Sequence, residues 1–217
     1  THIVQPGETL NVIARAYNVD VNIILAANNL PDPNLLEVGI VLTIPPAPLR
    51  DPGPDFKIIP DSELVNGPAL VSFDLDTFVN SQNGYLSRYY ETVDDRETSG
   101  LDIIERVARE NSVSPRILLA VLEYQSGWVS QNSPRGDTLQ YPMGFASYWH
   151  NGLYKQLSWA ANSLNRGYYL WRANAVSTWI LPDGSAVPIA PTINAGTAAV
   201  QQLMDYLYSS GSWQYAV

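Results

Sequence analysis

One stretch constrains the fold of this chain more than any other: residues 114–129, SPRILLAVLEYQSGWV. Ser114 is a potential N-cap, Pro115 suits a first helical turn because its missing N–H is not needed there, and Gly127 is a natural helix terminator. Between them, residues 117–122 are apolar on every side of a helix, which is typical of a helix buried inside a domain. The stretch therefore predicts a central helix around which the larger part of the chain packs.

The polar residues at the end of this predicted helix are Glu123, Gln125 and Ser126. Burying a polar group is costly unless it is satisfied, so polar residues at the end of a buried helix often line a cleft. Glu123 is therefore a candidate functional carboxylate. The alternative is that Glu123 faces solvent or forms an ion pair with an arginine, since structural ion pairs are common beside functional carboxylates.

The composition restricts the partners and the chemistry. A chain of 217 residues that is 46% hydrophobic and 15% charged forms one large or two modest globular domains. Its net charge of −9 argues against nucleic acid or an anionic membrane surface and fits a neutral or mixed-charge ligand such as a glycan. Without cysteine, and with only His2 and His150, we expect no disulfide, no metal site and no cofactor. No segment is apolar enough to span a bilayer.

The first 46 residues have the pattern of a small separate domain. A short strand at 2–4 precedes a helix that Thr9 can cap, and a second short helix follows at 21–28. A second strand at 40–44 is stopped by Pro45-Pro46. The predicted order is strand, helix, helix, strand.

The motifs of residues 1–46 resemble those of the LysM module. They are VQPGETL at 4–10, with Glu8 where the family has Asp, IARAY at 13–17, NNL at 28–30 and GIVLTIP at 39–45. The resemblance implies a βααβ fold that binds N-acetylglucosamine-containing glycans, namely peptidoglycan or chitin. The family's groove lies between the loop after the first strand and the loop before the second. The glycan-binding residues carried over are Gly7, Glu8, Thr9, Leu10, Asn29, Leu30, Pro31, Asp32 and Leu35. Gly7 and Thr9 also suit a turn and a cap, and both roles can coexist.

Residues 47–56 are rich in proline and predict a semi-rigid linker between this domain and a second one at 57–217. The second domain is predicted to be mainly helical. Helices are expected at 100–111, 153–171 and 194–209, an exposed loop at 94–98, and a hairpin or exposed turn at Pro182-Asp183-Gly184. The fold class is therefore α+β.

Three ordered motifs of the second domain resemble the lysozyme-like domains of soluble lytic transglycosylases. They are QSGW at 125–128, SPRG at 133–136 followed by Gln140, and INAG at 193–196. The resemblance implies a cleft containing Gln125, Ser126, Gln140 and Asn194. Gln125 stands where the family has its catalytic Glu and cannot exchange a proton. Glu123 lies two residues earlier, about 200° round a regular helix, and is the remaining candidate for a general acid/base.

Two functional interpretations follow, and a third is weaker. The first is a secreted, bacterial cell-envelope protein that binds peptidoglycan through LysM and carries a degenerate lysozyme-like domain, as in other LysM-containing envelope proteins. The second is an active lytic transglycosylase or muramidase that uses Glu123. The third is a structural or partner-docking domain. The aromatic pair Tyr148-Trp149 cannot point wholly inward, so at least one of its rings is expected to be exposed and available to stack on a sugar.

Overall fold

A computed structural model describes residues 1–17, 19, 21–30, 36–45, 52–65, 67 and 72–217, with the side chain of residue 15 excluded. The chain folds into two compact units, Thr1–Arg50 and Asp51–Val217. Each unit has its own apolar core. The units are therefore described one at a time.

The first unit is built as strand, helix, helix, strand, as the sequence predicts. Strand β1 (His2–Ile3) pairs antiparallel with β2 (Val41–Leu42), and α1 (Leu10–Ala16) and α2 (Val21–Asn28) lie between them in the chain. Its buried core consists of Val4, Leu10, Ile13, Ala14, Val19, Ile24 and Leu42. The strands are too short to hold a sheet on their own, so this core supplies most of the stability of the unit.

The second unit is mainly helical. Its described helices are α3 (Asp61–Leu64), α4 (Leu75–Gln82), α5 (Gly100–Asn111), α6 (Pro115–Ser126), α7 (Leu153–Arg172), α8 (Ala195–Asp205) and α9 (Ser210–Ala216). Short 3₁₀ turns occur at Tyr85–Arg88, Gly136–Thr138 and Tyr148–His150. The structure contains both helices and small sheets, which confirms the predicted α+β class.

The predicted central helix is α6. It begins at Pro115 and ends where Gly127 turns left-handed at φ 69° and donates its N–H to the carbonyl of Glu123 at 2.8 Å. Residues on several sides of the helix are buried, including Leu118 and Leu122, which have no exposed surface. One detail of the prediction is wrong: the Ser114 hydroxyl does not cap the helix and, among the described residues, has no hydrogen-bond partner.

Helices α7 and α8 cross closely, and Gly167 makes this close approach possible. A Cβ at Gly167 would lie 2.5 Å from the Cβ of Gln202 and 2.6 Å from the carbonyl oxygen of Ala198. Such distances are below any real contact, so a side chain at Gly167 would push the helices apart. Helix α8 also contacts the residue Trp179, whose indole N–H donates to the side-chain oxygen of Gln201 at 2.9 Å.

Two hairpins accompany these helices. Strands β5 (Thr178–Ile180) and β6 (Ala186–Pro188) pair antiparallel around the predicted Pro-Asp-Gly turn. Strands β3 (Tyr90–Val93) and β4 (Arg96–Ser99) pair where the sequence predicts an exposed loop at 94–98. The prediction holds for the exposed turn at Asp94 and Asp95, which adopt positive φ, 49° and 62°, as in a tight two-residue hairpin, but it is wrong for residues 96–98, which belong to β4.

The described half of the predicted linker belongs to the second unit. Gly53 donates its N–H to the carbonyl of Pro188 at 2.8 Å, and the carbonyl of Pro54 accepts from the side chain of Gln201 at 3.3 Å. These bonds attach residues 52–55 to β6 and α8, so this part is not a free spacer. Residues 46–51 lie outside the described residues.

Candidate functional site

The loop between β1 and α1 is held by Glu8. Its Oε2 atom accepts the N–H of Gln5 at 2.8 Å and lies 2.7 Å from the Nε2 atom of His2. These contacts, that with the Gln5 backbone foremost, hold the pKa of Glu8 below its ordinary value. The other ring nitrogen of His2 lies 3.2 Å from the hydroxyl of Tyr17. Glu8 is therefore a carboxylate that shapes its own loop.

The other predicted residues of this loop divide by exposure. Gly7 is exposed at φ 83°, and an added Cβ there would meet no other atom within 4 Å. Thr9 is exposed, and its hydroxyl accepts the N–H of Val12 at 3.3 Å, as a helix cap does. Leu10 is only 2% exposed and belongs to the core. Its predicted contact with a ligand is therefore corrected to its backbone alone, because the side chain of this first residue of α1 is buried in the core of the unit.

The opposite loop follows α2. Asn29 is exposed with φ 50°, whereas Leu30 packs partly against the core. The side chain of Asn28 joins α2 to the segment after β2, because it donates to the carbonyl of Thr43 and accepts the N–H of Thr43, each at 2.7 Å. The predicted groove residues Pro31, Asp32 and Leu35 lie outside the described residues.

In the second unit, Glu123 is half-buried and fully engaged. Its Oε2 atom accepts the backbone N–H groups of Val129 and Ser130, each at 3.0 Å, and its Oε1 atom accepts the hydroxyl of Ser130 at 2.5 Å. Three donors on one carboxylate fix the turn that follows α6. Backbone N–H groups cannot accept a proton, so two of these contacts offer no route for acid/base chemistry.

Glu123 lines two cavities of the second unit. One has a volume of about 680 Å³ and an apolar wall that includes Phe73, Phe78 and Ile117. The other has a volume of about 530 Å³ and is lined largely by polar residues. The first suits an apolar group and the second a hydrophilic one.

Of the cleft residues predicted in the second unit, Gln125 and Ser126 share the polar cavity with Glu123. Gln125 accepts the hydroxyl of Tyr208 at 2.9 Å, and the hydroxyl of Ser126 donates to the carbonyl of Leu122 at 2.8 Å. Tyr208 was not predicted, because it lies 83 residues from Gln125 and carries no local signal.

The other two predicted cleft residues line neither cavity. The carbonyl of Gln140 accepts the N–H of Gly152 at 3.1 Å and closes a loop. The side chain of Asn194 donates to the carbonyl of Ile59 at 2.7 Å and to Asp61 at 2.6 Å. These contacts join Asn194, which precedes α8, to Ile59 and to Asp61 at the start of α3, and its role in a cleft stays a prediction.

No group of three or more His, Cys, Asp or Glu side chains within the described ranges is arranged to hold a metal ion. Across the same ranges, none of the helices is long and apolar enough to cross a membrane.

Comparisons with known proteins match both units. A family model described as LasA, N-terminal domain, matches residues 57–216, and the LysM domain model matches residues 2–45. The N-terminal unit is thus a LysM domain, as the sequence motifs predict. Neither match shows a lysozyme-like domain in the second unit.

A curated relative is the N-acetylmuramoyl-L-alanine amidase XlyA of Bacillus subtilis (strain 168), which is 43% identical over 61 residues. Those residues are 28% of this chain and 20% of the amidase, so the chain spans about a fifth of the relative's length. No solved structure matches the chain.

Proposed function

The chain belongs to the LasA N-terminal domain family through residues 57–216, and we propose that it binds peptidoglycan of the bacterial cell envelope through its LysM domain. The observation that carries this proposal is the LysM match over residues 2–45, on a unit whose β1, α1, α2 and β2 follow in the order that the motifs predict. The name of the relative, an N-acetylmuramoyl-L-alanine amidase, supports a ligand from the bacterial cell wall.

The exposed loop residues suit an N-acetylated sugar. Gly7 has open space where a side chain would be, so a ligand can approach its backbone closely. Backbone N–H and C=O groups of such a loop can bond to the acetamido groups of N-acetylglucosamine. The Glu8 carboxylate is bonded to Gln5 and His2, so it is not a free anion on this side of the groove. We propose that Gly7, Glu8 and Thr9 form one side of the groove and Asn29 and the residues after it the other.

Sedimentation with purified peptidoglycan sacculi tests this proposal. Gly7→Val places a branched side chain in the open space and should weaken co-sedimentation relative to the unmodified chain. Gly184→Val is the matched control, because Gly184 also has positive φ, 80°, and open space around a Cβ, but lies in the hairpin of the second unit. Both variants carry a similar backbone strain. Equal binding by the two variants, or no binding by the unmodified chain, would contradict the proposal.

We propose that the second unit is a degenerate lysozyme-like domain that does not cleave glycan. Support comes from the three ordered motifs, from Gln125 at the place of the catalytic Glu, and from the three donors bound to Glu123. Mass spectrometry of soluble products from sacculi tests this. Muropeptides released by the unmodified chain and not by Glu123→Gln would make the protein a glycan-cleaving enzyme instead.

A further inference from the structure

A cluster of aromatic rings lies on the second unit, apart from the cavities at Glu123. Phe145 and Trp159 are stacked in parallel, with ring centroids 4.2 Å apart and an angle of 2° between the planes. Tyr206, which follows α8, meets Trp159 edge-on at 5.9 Å, and His150 meets Phe145 edge-on at 5.0 Å. Rings from a loop, from α7 and from the end of α8 therefore form one continuous group.

The same loop carries two of the most exposed aromatic side chains of the described residues. Tyr148 is 82% and Trp149 is 76% exposed, and their rings meet edge-on at 5.2 Å. Two large rings exposed to water lose the free energy that burial would give them. Exposed aromatic groups of this kind are typical of binding surfaces. Phe145, Tyr148, Trp149, Trp159 and Tyr206 are called the aromatic surface below.

One buried amide fixes the loop of the aromatic surface. Gln156 on α7 has no exposed surface, and its Nε2 atom donates to the carbonyls of Phe145 at 2.7 Å and His150 at 2.8 Å. Its Oε1 atom accepts the N–H of Met143 at 3.1 Å. The backbone that presents Tyr148 and Trp149 is therefore set before any ligand arrives, so binding would order little additional chain.

The chemistry around these rings favours a sugar over an anionic surface. Residues 136–154, which include the exposed rings, contain no lysine or arginine, so the loop itself offers no cation to phosphate or to acidic lipid, and a single lysine, Lys155, follows on α7. Small polar side chains, Ser147 and Asn151, flank the exposed rings and can bond to hydroxyl groups. The C–H face of a pyranose is attracted to the negative face of an aromatic ring.

From these observations we propose that the aromatic surface is a second carbohydrate site, which stacks on the pyranose rings of an N-acetylglucosamine-type glycan. The choice of glycan rests on the proposed function of the LysM domain, whereas the arrangement of the rings does not. Two sites on one chain would raise its affinity for a long polymer through effective concentration.

The distribution of tryptophan allows a direct test. The second unit contains all six tryptophans, at positions 128, 149, 159, 171, 179 and 213. The LysM domain has none, so a ligand that binds to it contacts no tryptophan of that domain. The chain is titrated with a soluble chitin hexasaccharide while tryptophan emission and, in parallel, the heat of binding are followed. A saturable change in emission is expected, and it should persist in Gly7→Val.

Substitutions locate the site. Tyr148→Ala and Trp149→Ala should each weaken the binding that tryptophan emission follows by about tenfold, as expected when one stacked ring is removed. Tyr148→Ala keeps every tryptophan, so its emission remains comparable with that of the unmodified chain. Tyr215→Ala is the matched control, because Tyr215 is 81% exposed and lies on α9, outside the aromatic surface.

Three results would overturn the proposal. One is heat of binding without any change in emission, which would leave the LysM domain as the site. Another is an emission change of equal affinity in Tyr148→Ala, Trp149→Ala and Tyr215→Ala, which would exclude the aromatic surface. The third is an emission change with phosphatidylglycerol vesicles and none with the hexasaccharide, which would make the surface a membrane contact.

Discussion

Gln156 provides the sharpest test of how the second unit is held together. Replacing it by methionine keeps a similar length and volume but removes three hydrogen bonds. The N–H of Met143 is buried and would lose its partner, at a cost of about 1–3 kcal/mol. The carbonyls of Phe145 and His150 are partly buried and can recover some bonding to water, so each adds about 0.5 kcal/mol. Gln156→Met should therefore lower the free energy of unfolding by about 2–4 kcal/mol.

Urea unfolding followed by tryptophan emission measures this loss in the second unit alone, since the LysM unit has no tryptophan. Gln214→Met is the control, because Gln214 is exposed on α9. Gln156→Glu should be at least as destabilising as Gln156→Met, since a carboxylate would face two carbonyl oxygens. Near-ultraviolet circular dichroism should change with it, because the stack of Phe145 on Trp159 depends on the same loop.

A small effect would show that Gln156 does not hold this loop. If Gln156→Met unfolded within about 0.5 kcal/mol of the unmodified chain, at the same slope with urea, the amide would contribute no more than an ordinary surface side chain. Other contacts would then hold the loop, and the aromatic surface could not be called preformed on the strength of Gln156.

Two further predictions concern carboxylates. Glu91→Gln should destabilise the second unit by about 1–2 kcal/mol in the same urea assay, because the carboxylate accepts the N–H groups of Leu153 and Tyr154 at the positive end of α7. Burial raises the pKa of Asp205 to about 7, so the folded chain holds a proton there that the unfolded chain releases near pH 4. Stability should therefore fall, by up to about 4 kcal/mol, as the pH rises from 4 to 7, and Asp205→Asn should remove that part of the fall. A stability that is equal in Glu91→Gln, or a pH dependence that is unchanged in Asp205→Asn, would contradict the respective assignment.

Helical periodicity was the most reliable guide to the fold. Helices α5, α6 and α7 lie within a residue or two of the predicted ranges, because each has a long apolar pattern and clear ends. Helix α9 was missed, since SGSWQYA contains two serines and a glycine and has little helical preference. The burial of Trp213, which is 2% exposed, fixes it against the core. Tertiary packing there overrides local propensity.

The candidate sites were predictable only where their contacts are local. The loop of Gly7 and Glu8 is closed by contacts within six residues, so a motif describes it completely. By contrast, Glu91 reaches Leu153 across 62 residues, a pairing that no local pattern reveals. Glu123 illustrates the same limit, because its place near the end of a buried helix suggested chemistry, while its bonds to the following turn depend on the path of the chain.

The two proposed binding sites should respond differently to mutation. Contacts within six residues close the Gly7–Glu8 side of the first site, so distant substitutions in the core should alter that side little. The aromatic surface depends on α7 for Trp159 and Gln156 and on the end of α8 for Tyr206. Those helices cross at Gly167 with no room for a side chain, so a change in their spacing would move the rings relative to one another. The second site is therefore coupled to the core of its unit, and its ring geometry is set by the same packing that stabilises the fold.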